Sequence, residues 1–258
     1  MYPVLFRIGS LEIRTWGIFV LLGFIAGIYY VAKKAERASL KKDDIYDLGF
    51  WILVSAIVGS RLFYILYHLS YFKEHPVETL AVWNGGLVFF GGVVFAIPTA
   101  IIFMKKKNMN LWKVADWIGP AFALGMFFGR WGCFFNGCCF GTPCTLPWCV
   151  AFKPGSPAFE VYGLLKVHPT QLYESFANLI IFFFLTRIER FKPFTGFIFV
   201  AYIFLGALTR FLDDFLRYYE PGNIIGPFSL NQYISLALMV GAVITGVVLK
   251  NRKRSASS

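Results

Sequence analysis

Apolar residues in this chain come in long runs rather than in alternation. WGIFVLLGFIAGIYYVA (16–32) and GLVFFGGVVFAIPTAIIFM (86–104) hold no charged residue. Each comes close to the roughly 20 residues that a helix needs to cross a bilayer. The pattern predicts seven spans, at about 16–32, 45–69, 86–104, 114–135, 171–186, 194–216 and 230–249. An open sheet in lipid leaves backbone groups unpaired, so these spans are read as helices. The expected fold class is all-α, a polytopic integral membrane protein. The first span lacks a basic leader and a small-residue cleavage site, so it reads as a retained span rather than a signal peptide.

Composition supports this reading. Of the 258 residues, 57% are hydrophobic and only 15% charged. A soluble domain carries about a quarter charged residues. The net charge of +11 raises nucleic acid as a partner, but its placement excludes it. Lys33, Lys34, Arg37, Lys41 and Lys42 follow the first span, and Lys105, Lys106, Lys107 and Lys113 follow the third. Arg187, Arg190 and Lys192 follow the fifth, and Lys250, Arg252, Lys253 and Arg254 follow the seventh. All of these fall on one side of a seven-span chain, opposite Arg7, Arg14, Lys73, Lys153 and Lys166. The positive-inside rule then sets the N-terminus outside and the C-terminus in the cytoplasm. No repeat or linker divides residues 1–258, which read as a single transmembrane domain with exterior loops at about 70–85 and 136–170. The SASS tail reads as disordered.

Four basic residues remain, and they bear on chemistry. Arg61, Arg130, Arg210 and Arg217 sit within or at the outer ends of spans two, four and six. Charge inside a bilayer is costly, so each is either a snorkelling or ion-paired side chain or part of a functional site. Several helices presenting arginines at similar depth favour a shared anion site. A guanidinium fork matches phosphate oxygens, and the abundant phosphate in a membrane is a phospholipid headgroup. Five cysteines, Cys133, Cys138, Cys139, Cys144 and Cys149, fall within 17 residues. One or two disulfides, a catalytic or redox thiol, and a metal site all remain open. The spacing lacks a clean pair of CxxC knuckles, so no metal and no cofactor are expected. The count is odd, so at least one thiol stays free or pairs elsewhere.

GRWGCFFNGCCFG (129–141) resembles the signature segment of the bacterial prolipoprotein diacylglyceryl transferase family, roughly G-R-x-G-N-F-x-N-x-E-x-x-G. IRTWGIFVLLGF, VGSRLFYILYH, GGLVFFGG, VHPTQLYES, TRFLDDFLR and FSLNQYISLALM match further landmarks in the same order along nearly the whole chain. The most specific is HPTQLYE, residues His168, Pro169, Thr170, Gln171, Leu172, Tyr173 and Glu174. The resemblance implies a bacterial inner-membrane enzyme that moves a diacylglyceryl group from phosphatidylglycerol to the lipobox cysteine of a prelipoprotein signal peptide. A thioether forms and glycerol phosphate leaves.

Carried over residue by residue, Arg130 and Arg210 hold the headgroup phosphate, and Asn136 and Gly141 shape the signature loop. Asp214 stands for the family's glutamate beside Arg210, four residues on along one helix face. Arg61, Gln171 and Tyr173 are further substrate-binding candidates. His168, Glu174 and a free cysteine thiolate are candidate bases, among which the sequence does not choose. His68 and His75 read as interfacial loop histidines. Four positions depart from the family pattern. Trp16 replaces a tyrosine, Phe90 a histidine, Cys133 the signature asparagine and Cys138 the signature glutamate. A divergent paralogue with another acceptor, or a lipid binder or transporter without turnover, are the competing readings.

Overall fold

The computed structural model describes residues 4–8, 11–81, 85–220, 222 and 224–255. The chain starts with strands β1 (Val4–Ile8) and β2 (Leu11–Arg14), then helices α1 (Thr15–Arg37), α2 (Lys42–Tyr67) and α3 (Leu69–Glu74). A 3-10 segment, Pro76–Leu80, leads to α4 (Phe89–Lys106) and α5 (Leu111–Asn136). The connection that follows holds β3 (Val150–Ala151), α6 (Pro157–Tyr162) and β4 (Lys166–Val167). Then come α7 (Thr170–Ile188), α8 (Phe197–Asp213), β5 (Ile224–Ile225), β6 (Phe228–Ser229) and α9 (Leu230–Ser255).

A helix occupies each of the seven stretches predicted from the apolar runs. Among the described residues, five are long and apolar enough to cross a membrane: α1, α2, α4, α5 and α9. Their apolar side chains point outward as well as inward, with Ile97, Phe122 and Val240 more than half exposed. A helix apolar all round suits lipid rather than water. The expectation of an all-helical chain omitted three two-stranded antiparallel ladders, β1–β2, β3–β4 and β5–β6. The first precedes α1 and the other two lie in connections, where backbone groups outside helices must pair with something. The tip of the first predicted loop, 82–84, and residues 256–258 of the tail lie outside the described residues.

The chain divides into two compact units, residues 31–114 and residues 1–30 with 115–258. In the first of these, α2 and α4 meet at glycines. A Cβ on Gly59 would strike the Gly91 carbonyl, and one on Gly91 would strike the Gly59 carbonyl. Small residues let membrane helices approach closely where no hydrophobic force draws them together. The other unit packs α7 and α8 around Ala123, Ile181, Leu185 and Ile198.

Asp116 fixes where α8 begins. Its fully buried carboxylate accepts from the backbone N–H of Gly196 (3.0 Å), Ile198 (2.9 Å) and Phe199 (3.3 Å). Lys192 Nζ completes the set at 3.0 Å. Four N–H groups at a helix start lack intrahelical partners, and a carboxylate there satisfies them and complements the dipole. Removing it strands three backbone donors and a partly exposed lysine. Asp116→Ala is therefore expected to destabilise the protein by about 3 kcal/mol, read as a lowered thermal unfolding midpoint in detergent, with Asp116→Asn losing less.

Candidate active site

The motif HPTQLYE runs from β4 into the first turns of α7, and each polar member has a distinct contact. His168 N–H donates to the Thr142 carbonyl and its own carbonyl accepts from Gly141 N–H, which ties the signature segment to this strand. Pro169 caps α7. Thr170 Oγ1 then donates to the Cys139 carbonyl (2.8 Å) and Gln171 Nε2 to the Cys138 carbonyl (2.7 Å), both from buried positions. The first turn of α7 thus holds the cysteine loop by its backbone. Tyr173 Oη accepts from Trp148 Nε1 at 2.7 Å and lies 3.2 Å from His168 Nδ1.

Glu174 turns the other way, into a cluster of arginines. Arg130 of α5 donates from Nη2 to Glu174 Oε1 at 2.5 Å, and Arg210 of α8 from Nη1 to Oε2 at 3.2 Å. Arg217 Nη1 stands 4.0 Å from Oε2. The carboxylate is nearly sealed from the surface at 3% residue exposure. Arg210 Nη2 also meets Asp214 Oδ1 at 3.1 Å, and it donates to Tyr219 Oη at 2.5 Å. Tyr219 in turn donates to Asp214 Oδ1 (2.8 Å) and accepts from Asn231 Nδ2 (3.0 Å). Burial pushes the Tyr219 hydroxyl up to about 12, so it stays a donor. Ser229 Oγ holds the second Asp214 oxygen at 2.7 Å.

Two polar atoms here are buried and without a partner among the described residues: Arg130 Nε and Gln171 Oε1. Buried polar groups are normally hydrogen-bonded, so such orphans point to something absent that binds them. Three guanidiniums outnumber the two carboxylates they touch, so the cluster can take an anion.

The family profile for prolipoprotein diacylglyceryl transferases matches residues 3–248. The chain belongs to that family. It is 36% identical to the phosphatidylglycerol–prolipoprotein diacylglyceryl transferase of Geobacter sulfurreducens, over 97% of this chain and 96% of that one. The protein of the same name from Finegoldia magna is 34% identical, over 98% and 97%. The one from Acaryochloris marina is 33% identical, over 91% and 85%.

The cysteines divide into two groups. Cys144 and Cys149 form a disulfide, closing a short loop that carries Trp148. Their sulfurs and a His168 ring nitrogen lie within 4.8 Å of one another. Cys133, Cys138 and Cys139 are free, with all three sulfurs mutually within 4.8 Å. Cys133 and Cys138 are the two positions read above as departures from the asparagine and glutamate of the resembled signature. Asn136 is the last residue of α5, two residues before Cys138. Hydrogen bonding from Cys133 and Cys138, then the field of Arg217 and Arg130, draws the Cys139 thiol below its ordinary value.

The remaining sequence candidates fall as follows. Gly141 is wedged, since a Cβ there would lie 2.6 Å from His168 Cβ and from the Leu216 carbonyl. Gly141 and Arg217 form an antiparallel bridge, extended by Thr142 N–H to Leu216 O and Tyr218 N–H to Phe140 O. Phe140 and Tyr218 stack at 5.4 Å. Trp16 is half exposed at the start of α1.

Arg61 and Phe90 belong to the other unit. There the Arg61 guanidinium donates to the carbonyls of Thr79 (3.0 Å), Gly85 (2.8 Å), Gly86 (3.3 Å) and Glu78. Phe90 is largely exposed. His68 Nδ1 contacts the Tyr64 carbonyl at 3.0 Å, and the His75 ring lies against Tyr71. Arg217 was one of the four arginines that the sequence marked for an anion site, whereas Tyr219, Ser229 and Asn231 had no role there. For Ser229 and Asn231 the available signal was polar residues inside the otherwise apolar landmark FSLNQYISLALM; Tyr219 lies between the landmarks and carried none.

Two outcomes follow from this geometry. Glu174→Gln removes the charge that three guanidiniums share, so its unfolding midpoint falls, and millimolar inorganic phosphate raises that midpoint more than it raises the wild type's. An equal response in both proteins contradicts the shared clamp. Denatured without reductant, the chain exposes three maleimide-reactive thiols, because Cys144 and Cys149 are bonded to each other.

Proposed function

We propose that this protein moves the diacylglyceryl group of phosphatidylglycerol onto the lipobox cysteine of a prelipoprotein signal peptide. It does so as a single seven-span domain of the bacterial inner membrane, with the N-terminus outside and the C-terminus in the cytoplasm. The distribution of basic residues between alternate connections supports that orientation. The observation that carries the chemistry is the arginine cluster on Glu174, with a buried Arg130 Nε left without a partner.

In this reading the phosphodiester enters between Arg130 and Arg210. The acceptor sulfur attacks the glycerol carbon that bears the phosphate oxygen, and the carbon–oxygen bond breaks. The developing charge on the leaving glycerol phosphate meets guanidiniums already in place, which is how preorganised donors lower such a barrier. Glu174 and Asp214 align the arginines. Both Glu174 oxygens are taken up by arginines, which leaves His168 as the favoured base, oriented by Tyr173. Gln171 and Thr170 hold the cysteine loop, and Asn136 and Gly141 shape it. Arg61, with its donors on four carbonyls, holds the connection before α4.

The test is turnover in proteoliposomes of phosphatidylglycerol with a lipobox-cysteine peptide, read by mass spectrometry. The expected product is the peptide with a diacylglyceryl increment, with glycerol phosphate released. Arg130→Lys keeps the charge but loses the fork, and is expected to slow turnover by about 100-fold or more. Wild-type rates in Arg130→Lys and Arg210→Lys remove the phosphate clamp. Phosphatidylglycerol bound without release of glycerol phosphate favours a lipid binder.

A further inference from the structure

Cys133, Cys138 and Cys139 occupy the signature loop, yet the reaction proposed above assigns them no task. Their three sulfurs lie within 4.8 Å of one another. A point then exists no more than about 2.8 Å from each (the longest side divided by √3), against ~2.3 Å for a zinc–thiolate bond. The loop is held in this arrangement from several sides. Cys138 N–H bonds to the Cys133 carbonyl, Gln171 and Thr170 hold the next two carbonyls, and Cys139 has φ +65°. A non-glycine residue stays in that left-handed region only where its surroundings over-determine it.

We infer that these three thiols form a binding site for a thiophilic divalent cation, zinc by charge and geometry, whose fourth position takes the acceptor cysteine. Three protein ligands with one open position are the arrangement of catalytic rather than structural zinc. This rests on the transferase reading, and it supplies what that reading lacks at the acceptor. A thiol must become a thiolate before it attacks carbon, and a sulfur bound to a cation is deprotonated outright.

The step balances without an oxidant. The acceptor S–H gives its proton to the imidazole of His168 or to water as the sulfur joins the metal. Its electron pair then forms the S–C bond, and the C–O pair leaves with glycerol phosphate. The excess negative charge of four thiolates around one divalent ion is offset nearby. Arg130 lies one turn before Cys133 on α5, and Arg217 bridges Gly141, two residues after Cys139. The only other group of metal-ligating side chains among the described residues is Cys144, Cys149 and His168, whose sulfurs are already joined.

The test uses the full-length protein in detergent, carrying Cys144→Ala and Cys149→Ala so that only the three thiols remain, reduced and then dialysed against zinc or cobalt. Expected are one metal per chain, thiolate-to-cobalt charge-transfer absorption, and a loss of affinity of at least about tenfold in Cys139→Ser. A lipobox-cysteine peptide changes the cobalt spectrum, and its serine counterpart does not. Substoichiometric metal, unchanged affinity in both Cys138→Ser and Cys139→Ser, or a spectrum indifferent to the cysteine peptide overturns the site. The peptide experiment on unsubstituted thiols stands even where a serine variant fails to fold. Turnover is scored separately. Undiminished transfer by zinc-stripped protein rejects the metal and keeps the transferase. Zinc held and peptide bound without transfer in phosphatidylglycerol vesicles rejects the transferase and keeps the site.

Discussion

Glu174 presents one negative charge to three arginines in a part of the chain where other charges are few. At low dielectric, neither the carboxylate nor the guanidiniums are stable alone. That mutual need draws α5, α7, α8 and the segment after α8 to one point. It also sets the direction in which each remaining donor can face. Because the carboxylate has two oxygens and the three side chains many N–H groups, satisfaction on the protein side is incomplete by construction. The unfilled donor at Arg130 Nε is the result.

The polar contacts beyond Glu174 keep the guanidiniums from turning away. Arg210 is gripped by Asp214 and Tyr219, and Asp214 is gripped in turn by Ser229 at the start of α9. Such chains of buried hydrogen bonds reinforce one another when every member is satisfied. The phosphate site proposed for this cluster gains from such rigidity, since its donors need no rearrangement as charge develops.

Each of the seven apolar runs marked a helix, and five of those helices are long and apolar enough, among the described residues, to cross a membrane. The pair Arg210–Asp214 was readable as well, since four residues along a helix bring side chains together without any knowledge of the fold. Arg61 shows the limit. Its place within a span read like that of Arg130, but such a place says nothing about which groups face it, and its partners come from residues 17 to 25 positions later. Tyr219 and Asn231 were hidden for a related reason, their meeting being set by the turn between α8 and α9. The five cysteines admitted many pairings, and only the course of the loop separated a local bond from a three-sulfur cluster. The ladders in the connections left no periodic trace because each strand after β2 has two residues.

The antiparallel tie between residues 140–142 and 216–218 makes one body of the cysteine loop and the arm that carries Arg217 and Tyr219. A peptide that shifts the loop must shift the arm, and a lipid phosphate that draws in Arg217 must draw the loop with it. Linkage is reciprocal, so whatever factor the lipid contributes to the affinity for the peptide, the peptide returns to the lipid. Two hydrophobic substrates arriving independently from the same bilayer would in that way hold each other in place until the bond between them has formed.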